Sequence, residues 1–225
     1  MKDNENKERA LFSHISAETK QKLFEIGYTT SLKKGELIFS EREEVDSIFI
    51  VVDGYVSLYR SSRYGDIKVI FICTNGEIIN EIVFQNDKTS ICAMALSDTT
   101  LLAIPKADLL KLMKEDVDLT INIYDSLARK TRRLYHQVGN ANGTYPIEKR
   151  LAAKICKLAR DYGKKTDAGT QIGFEITVTF LANMLGAKRE TISRILSQIK
   201  RKGIVKHENS ILTVVDMDAL EKIAE

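Results

Sequence analysis

The stretch from 177 to 199 constrains the fold most, because a single glycine separates two runs of helical spacing. Apolar residues recur every three or four positions on both sides of it: Phe180, Leu181, Met184, Leu185, Ile192, Ile195, Leu196 and Ile199. Thr177 can cap the first run, since its hydroxyl can accept a bond from an otherwise unpaired backbone N–H. Gly186 is placed to end that run, as a glycine just past a helix C-terminus does. The stretch therefore predicts a helix, a tight turn and a second helix, the layout of a helix-turn-helix.

Two short β-like runs follow Gly203, at 204–207 and 211–215. Only the polar residues 208–210 (Glu-Asn-Ser) lie between them. Strands joined by a few polar residues form a hairpin, so we expect a two-stranded wing after the second helix.

Basic residues concentrate in the same region. Between positions 186 and 206, seven basic residues stand against one acid, Glu190, so the local charge is +6 while the whole chain carries +3. The seven are Lys188, Arg189, Arg194, Lys200, Arg201, Lys202 and Lys206. Phosphate binding needs a stripe of this kind, although a charged helix face is more often simply solvated. The charge therefore counts only together with the predicted turn and wing.

The outward face of the second predicted helix carries residue types that read base pairs. Arg189, Glu190, Ser193 and Arg194 fall on one side of it. Arginine can bond guanine O6 and N7 together, and a carboxylate can accept from cytosine N4. The alternative is a surface ion pair between Glu190 and Arg194, worth a few tenths of a kcal/mol. Because an acid among phosphates is costly unless it contacts a base or orders an arginine, we favour DNA reading.

The N-terminal half has a different pattern, in which β-like runs alternate with turns from about position 29 to 104. The runs are 36–39, 47–52, 55–59, 68–72 and 100–104, each rich in β-branched, aliphatic or aromatic residues. The turns contain Gly35, Gly54, Gly65 and Gly76. Glycine supplies the positive φ that tight connections need. This spacing predicts an all-β barrel or roll, preceded by a short helix over 16–26.

After Pro105 the spacing becomes helical, with a short helix predicted over 106–114 and a long one over 118–138. An apolar seam of heptad type follows the long helix: Tyr124, Leu127, Thr131, Leu134 and Val138. Arg129, Lys130 and Arg132 lie off this seam. The helix could pack on its own β domain or pair with its copy in a second chain. We favour the dimer, because palindromic operators suit two-fold symmetric readers.

Residues 139–144 are small and polar, which predicts a hinge between two domains. Helical spacing resumes at Ile147, and a loop rich in Gly, Lys and Asp is expected over 161–173.

At this point the sequence resembles a known family. Residues 176–196, which contain Leu-Gly-Ala-Lys-Arg-Glu-Thr-Ile-Ser-Arg-Ile-Leu, are closely similar to the C-terminal domain of the Crp/Fnr superfamily of bacterial regulators. Segments 34–39, 48–54 and 75–77 resemble that family's cyclic-nucleotide-binding-type β-roll. The resemblance spans nearly the whole chain in the family's domain order.

The resemblance implies an α+β fold in three parts. These are a jelly-roll-like β-roll sensor domain (1–117), a dimerisation helix (118–139) and a winged helix-turn-helix DNA-binding domain (140–225). It further implies a homodimer on double-stranded DNA with an inverted-repeat operator, in which an effector in the β-roll shifts the DNA-binding domains. RNA polymerase would be a further partner if the protein activates transcription.

Carried over position by position, Arg189, Glu190 and Arg194 match the base-reading residues of the cAMP-receptor type. Glu190, Ser193 and Arg194 match the trio of the anaerobic Fnr type, so this sequence holds both sets and a TGA-containing half-site is implied. Lys188 stands where the family often has a capping Ser or Thr, so a capping bond is lost and a phosphate contact is expected. The full candidate DNA-binding set is Thr177, Thr179, Lys188, Arg189, Glu190, Thr191, Ser193 and Arg194.

The sensor half departs from the family's cAMP pocket, which combines a Gly-Glu-Leu segment with an Arg-Ser pair. The matching stretches here are 80–82 (Asn-Glu-Ile) and 89–90 (Thr-Ser), so the arginine that would pair with the cyclic phosphate is missing. The adenine-contacting positions match Leu134 and Tyr135, which are bulky and mostly apolar. We therefore expect that cAMP is not the effector. The candidate effector-pocket residues are Glu81, Lys88, Thr89, Ser90, Leu134 and Tyr135.

The effector itself stays open between an unidentified small molecule, for example an organic anion near Lys88 and residues 134–135, a redox signal and no ligand at all; a haem is a further alternative, although no histidine is placed to favour it. No metal or other cofactor is identified. An Fe–S cluster of the Fnr kind is not expected, because it needs several cysteines near the N-terminus and residues 1–72 contain none. Cys73, Cys92 and Cys156 lie far apart, and we expect buried, inert thiols.

Other functional classes have little support. No Gly-rich phosphate loop, nucleophile elbow or metal-ligand set indicates an enzyme. No apolar run approaches the roughly 20 residues that span a membrane, and the charged N-terminus lacks a signal-peptide core, so a cytoplasmic protein is expected. The main alternative is a cyclic-nucleotide-type sensor whose C-terminal helices contact a protein rather than DNA.

Overall fold

The computed structural model describes residues 11, 15–63, 65–85, 88–139 and 145–225. The chain forms two compact units, one from residues up to 60 together with 70–141, the other from 61–69 together with 142 onwards. Beyond Gly139 the predicted hinge lies outside the described residues, so the domain boundary placed there stays a prediction.

Antiparallel sheets dominate the first half of the chain. Its strands are β1 (Tyr28–Leu32), β2 (Leu37–Phe39), β3 (Ser47–Asp53), β4 (Val56–Ser61), β5 (Ile67–Cys73), β6 (Cys92–Ala95) and β7 (Thr99–Pro105). One sheet has the order β1-β7-β3 and the other the order β2-β6-β4-β5. Ile50 and Val51 belong to different clusters of buried side chains, because successive residues of a strand face opposite ways. The domain core is therefore filled from both sides of β3.

All five predicted strands are confirmed, and the four turn glycines adopt positive φ. At Gly54, both the backbone conformation and the lack of space require glycine. Its φ is +94°, and a Cβ there would lie 2.5 Å from the Thr99 hydroxyl oxygen. The strands β1 and β6 fall outside the predicted runs, since the Tyr-Thr-Thr-Ser-Leu and Cys-Ala-Met-Ala segments contain few large apolar residues.

Helices flank these sheets. They are α1 (Ala17–Ile26), a 3-10 turn (Glu81–Phe84), α2 (Lys106–Glu115) and α3 (Val117–Gly139). Ser16 caps α1 by accepting from the Thr19 N–H at 3.0 Å. Asp116 fills the same role before α3, accepting from the Leu119 N–H at 2.8 Å. The predicted helices are confirmed to within one or two residues at each end.

The second half folds around a smaller sheet of order β10-β11-β9-β8. Its elements are α4 (Ile147–Tyr162), β8 (Gly163–Thr166), β9 (Gly169–Ile172), α5 (Val178–Leu185), α6 (Arg189–Arg201), β10 (Val205–Glu208), β11 (Ile211–Val214) and α7 (Met217–Ala224). The expectation of a loop over 161–173 is wrong. Gly163 to Ile172 form an antiparallel hairpin, because β9 gains a second partner in β11, which a local reading of polar residues does not detect.

Candidate nucleic-acid interface

Two local signals define the turn between α5 and α6. The Thr177 hydroxyl accepts from the Phe180 N–H at 3.0 Å and so starts α5. Gly186 ends α5 in the left-handed region, with φ 62° and ψ 44°, a conformation that costs little only for glycine. Because α6 begins at Arg189, three residues after Gly186, the predicted helix-turn-helix is confirmed.

One face of α6 is buried and the other is open. The buried residues are Ile192, Ile195, Leu196 and Ile199. Arg189, Glu190 and Arg194 are exposed, while Thr191 and Ser193 are half-buried. Within the described part of the chain, the side chains of Glu190 and Arg194 make no hydrogen bond or ion pair. Their predicted alternative, a mutual surface ion pair, is therefore not formed, and both side chains are available to an external partner.

Lys188 precedes α6 at the cap position and makes no side-chain hydrogen bond to the first turn. The first backbone N–H groups of a helix have no partner within it. Together with the partial positive charge of the helix N-terminus, these groups favour an anion at this end. Thr177 and Thr179, also exposed, start the neighbouring helix.

The predicted wing is confirmed as the hairpin of β10 and β11. Asn209 and Ser210 at its tip have φ of 49° and 63°, the positive values that a tight two-residue hairpin turn requires. Three contacts tie the hairpin to the helix-turn-helix: Ile176 N donates to Ser210 O at 2.6 Å, the Lys200 ammonium donates to His207 O at 2.8 Å, and the His207 ring Nε2 lies 2.6 Å from Ile176 O. The wing is therefore anchored both to the last turns of α6 and to the segment that leads into α5.

The candidate effector residues occupy different environments. Lys88 is exposed and pairs with Glu44 at 3.4 Å. Thr89 is buried, and its hydroxyl donates to Ser40 O. Ser90, Leu134 and Tyr135 are exposed. None of these residues lines the cavity described below.

Glu81, by contrast, belongs to a buried polar cluster that sequence reasoning missed. One of its carboxylate oxygens accepts from the Lys130 ammonium at 2.6 Å, and the other accepts from the Ser126 hydroxyl at 2.6 Å. Lys130 also donates to Ile78 O. The side chains of Lys130 and Glu81 are only 10% and 4% exposed. Burial acts to lower the pKa of Lys130, but the charge and hydrogen bond of Glu81, together with the nearby Glu77 and Cys73, outweigh it and the pKa is raised.

A half-open cavity of about 420 Å³ lies next to this cluster, along α3. Its lining residues are Glu77, Ser126, Arg129, Lys130, Arg132, Arg133 and His136. Glu77 is buried and accepts from the Thr74 N–H at 2.9 Å. The Arg133 guanidinium lies 3.8 Å from Glu77 and 5.0 Å from the centre of the Phe71 ring. We call this space the basic cavity.

The cysteines are free thiols. Cys73 and Cys156 are buried as expected, and burial raises the pKa of Cys73 to about 12. Cys92 is half-buried instead, and its sulfur accepts from the Glu41 N–H. Across the described ranges, no three or more His, Cys, Asp or Glu side chains group in a way that could hold a metal ion. No helix in those ranges has both the length and the apolarity to cross a membrane.

Comparison with known proteins agrees with this architecture in both halves. Residues 29–116 match the family model of the cyclic nucleotide-binding domain, and residues 149–223 match that of the Crp-like helix-turn-helix domain. The chain is 27% identical over 192 residues to a cyclic AMP receptor protein of Thermus thermophilus, covering 85% of each chain. It is 21% identical to a CRP-like cAMP-activated global transcriptional regulator of Mycobacterium tuberculosis, again over 85% of each.

Solved structures show the same fold. The structure of FixK2 from Bradyrhizobium japonicum superposes with a TM-score of 0.76 at 20% identity, covering 89% of this chain and 98% of FixK2. Both family models match this chain, the sensor model first and the helix-turn-helix model second. The second match contains the turn at Gly186 and the wing. The chain belongs to the Crp/Fnr family of DNA-binding transcriptional regulators.

Proposed function

We propose that this regulator acts as a homodimer that reads an inverted-repeat operator through α6, under the control of a signal other than cAMP. The observation that carries DNA reading is the open face of α6, where Arg189, Glu190 and Arg194 project without partners among the described residues. Arginine and glutamate are suited to guanine and cytosine edges. A TGA-containing half-site remains the expected element.

The predicted seam along α3 supports the dimer. Tyr124 and Val138 are 68% and 70% exposed, and Leu127 and Leu134 are also exposed. The stripe continues towards the start of the helix through Val117 and Ile121, so it extends over nearly six turns. A contiguous apolar stripe on one helix face is typical of an interface, and a second copy of α3 offers the same heptad spacing in return.

Three contacts support a signal other than cAMP. Both carboxylate oxygens of Glu81 are engaged by Lys130 and Ser126. Thr89 directs its hydroxyl to the backbone of Ser40. A threonine hydroxyl is uncharged and can donate only one bond to a cyclic phosphate, whereas an arginine carries the opposite charge and can donate two parallel bonds.

Selection of bound sequences from a random DNA pool tests the proposal, followed by binding measurements at several salt concentrations. We expect an enriched inverted repeat, and an affinity that falls steeply with salt, by about one power per phosphate contacted. Arg194→Ala should cost roughly 1–3 kcal/mol and relax one base position.

Arg201→Ala is the matched control, because it removes the same charge from the far end of α6. It should weaken binding to all sequences alike and leave the preference unchanged. A chain that binds DNA without salt dependence, or not at all, would support the alternative of protein contacts. Calorimetry with cAMP should show no micromolar binding.

A further inference from the structure

The basic cavity holds more positive charge than the described residues neutralise. Arg129, Arg132 and Arg133 line it beside Lys130 and the His136 ring, and Glu77 is the one acid among the described lining residues. Lys130 is already paired with Glu81, and Glu77 faces Arg133. Within the described residues, the guanidinium groups of Arg129 and Arg132 make no hydrogen bond or ion pair. Two guanidinium groups are thus left without a counter-charge.

The helix places these like charges on neighbouring positions. Arg129 is three residues before Arg132 and four before Arg133, the spacings at which side chains of a helix approach each other. Like charges at such spacings destabilise a helix. An anion in the cavity would reverse that effect, since each guanidinium could then donate charge-assisted, bidentate bonds.

One arginine is already positioned for this. Arg133 lies over the Phe71 ring, 5.0 Å from its centre, and against the buried Glu77. Phe71 and Glu77 belong to the β domain, whereas all three arginines lie on α3. A ligand held by all three arginines would therefore connect α3, which carries the apolar seam, to the β domain.

We infer that the basic cavity binds a small anion with two or more negative charges, either a phosphate or a polycarboxylate. The volume of about 420 Å³ lies in the range of small-molecule sites. This inference rests on the proposed function and names the chemical class of its effector. None of the six candidate residues identified from sequence lines the cavity, but Glu81 bonds to two residues that do, Ser126 and Lys130.

Calorimetry of the full chain with inorganic phosphate, glucose 6-phosphate and citrate tests the inference, at constant ionic strength and with glucose as the neutral probe. At least one anion should bind with one site per chain, and glucose should not. Arg129→Ala and Arg132→Ala should each weaken that binding by about tenfold or more, the effect of losing a hydrogen bond to a charged group. Arg63→Ala, which removes an exposed arginine from the β4–β5 connection, should leave the affinity unchanged.

Binding by phosphate or glucose 6-phosphate without citrate would assign a phosphate ligand, and citrate alone a polycarboxylate. Absence of binding by all three anions would overturn the inference, as would an equal loss in Arg63→Ala. Circular dichroism of each variant separates a lost site from a lost fold. Operator binding is measured on the same samples. Intact DNA affinity without anion binding would refute the inferred anion site and leave the proposed function standing.

Discussion

Replacing Lys130 by methionine removes the buried ammonium group while keeping a flexible side chain of similar length. The Glu81 carboxylate, 4% exposed, then keeps the Ser126 hydroxyl as a partner but loses its counter-charge. Ile78 O loses its lysine donor as well. The variant therefore tests how strongly this pair holds α3 against the β domain.

The loss of unfolding free energy can be estimated from the chemistry of the unpaired Glu81 carboxylate. Breaking a buried ion pair on one side typically costs about 3–5 kcal/mol. The carboxylate can avoid that cost by taking up a proton, which at pH 7 requires about 3.7 kcal/mol relative to an ordinary glutamate pKa of about 4.3. At pH 5 the same protonation requires only about 1 kcal/mol. We therefore expect Lys130→Met to lose about 3–4 kcal/mol of unfolding free energy at pH 7 and distinctly less at pH 5.

The lysine itself does not contribute to this difference between the two pH values. Its pKa is raised in the folded protein, so its stabilising charge is fully present below its ordinary value of 10.5 and is lost only as pH rises beyond it. The difference in unfolding free energy between variant and wild type is measured at pH 5 and at pH 7. Any change in that difference thus reports on the Glu81 carboxylate.

Urea denaturation at pH 5 and pH 7 measures the unfolding free energies of the variant and the wild type. Lys114→Met, at an exposed position near the end of α2, is the control and should change stability by no more than about 0.5 kcal/mol. Adding Glu81→Leu to Lys130→Met should recover part of the loss, since apolar replacement of a buried pair is often neutral. A loss below about 1 kcal/mol at pH 7, or the same loss at both pH values, would refute the reasoning.

Three further predictions concern separate parts of the chain. Leu127→Glu places a charge in the exposed seam and should shift the protein to monomers in analytical ultracentrifugation, with weaker binding to an inverted repeat. Thr177→Ala removes the cap of α5 and should lower the unfolding free energy of the second unit by about 1 kcal/mol, measured by urea denaturation. Cys73 should resist Ellman's reagent at pH 8 in the folded protein, because its pKa of about 12 leaves almost no thiolate.

Each of these has a matched control. Leu110→Glu, exposed on α2, should leave the assembly state unchanged, and an equal shift there would contradict the seam. Thr179→Ala lies in the same helix as Thr177 without capping it, and should cost less. For the thiols, mass spectrometry should locate the first label at Cys92, which is half-buried; early labelling of Cys73 would contradict its burial.

The features that the sequence revealed are local ones. Gly186, the cap at Thr177 and the spacing of the α6 core are all specified within a few residues, so the helix-turn-helix could be placed without tertiary information. The burial of Lys130 could not be, because its partner Glu81 is 49 residues away. A lysine off an apolar seam is normally solvated, and only the β domain packed against α3 makes it an interior residue.

The effector site shows the same limit. The candidate residues matched a pocket of known type, while Arg129, Arg132 and Arg133 line the basic cavity, where Arg133 contacts Glu77 and Phe71 from the β domain. Periodicity placed Arg129 and Arg132 correctly off the seam. It carried no information on what lies opposite them.

The uncapped start of α6 has a kinetic consequence. In the free protein, the Lys188 side chain does not cap the first turn of α6, and a helix end of this kind opens without disturbing the core. Hydrogen exchange there should be fast, and it should slow sharply once a DNA phosphate accepts those N–H groups. DNA binding would then order the first turn of α6. Binding and the ordering of this turn would occur as a single event.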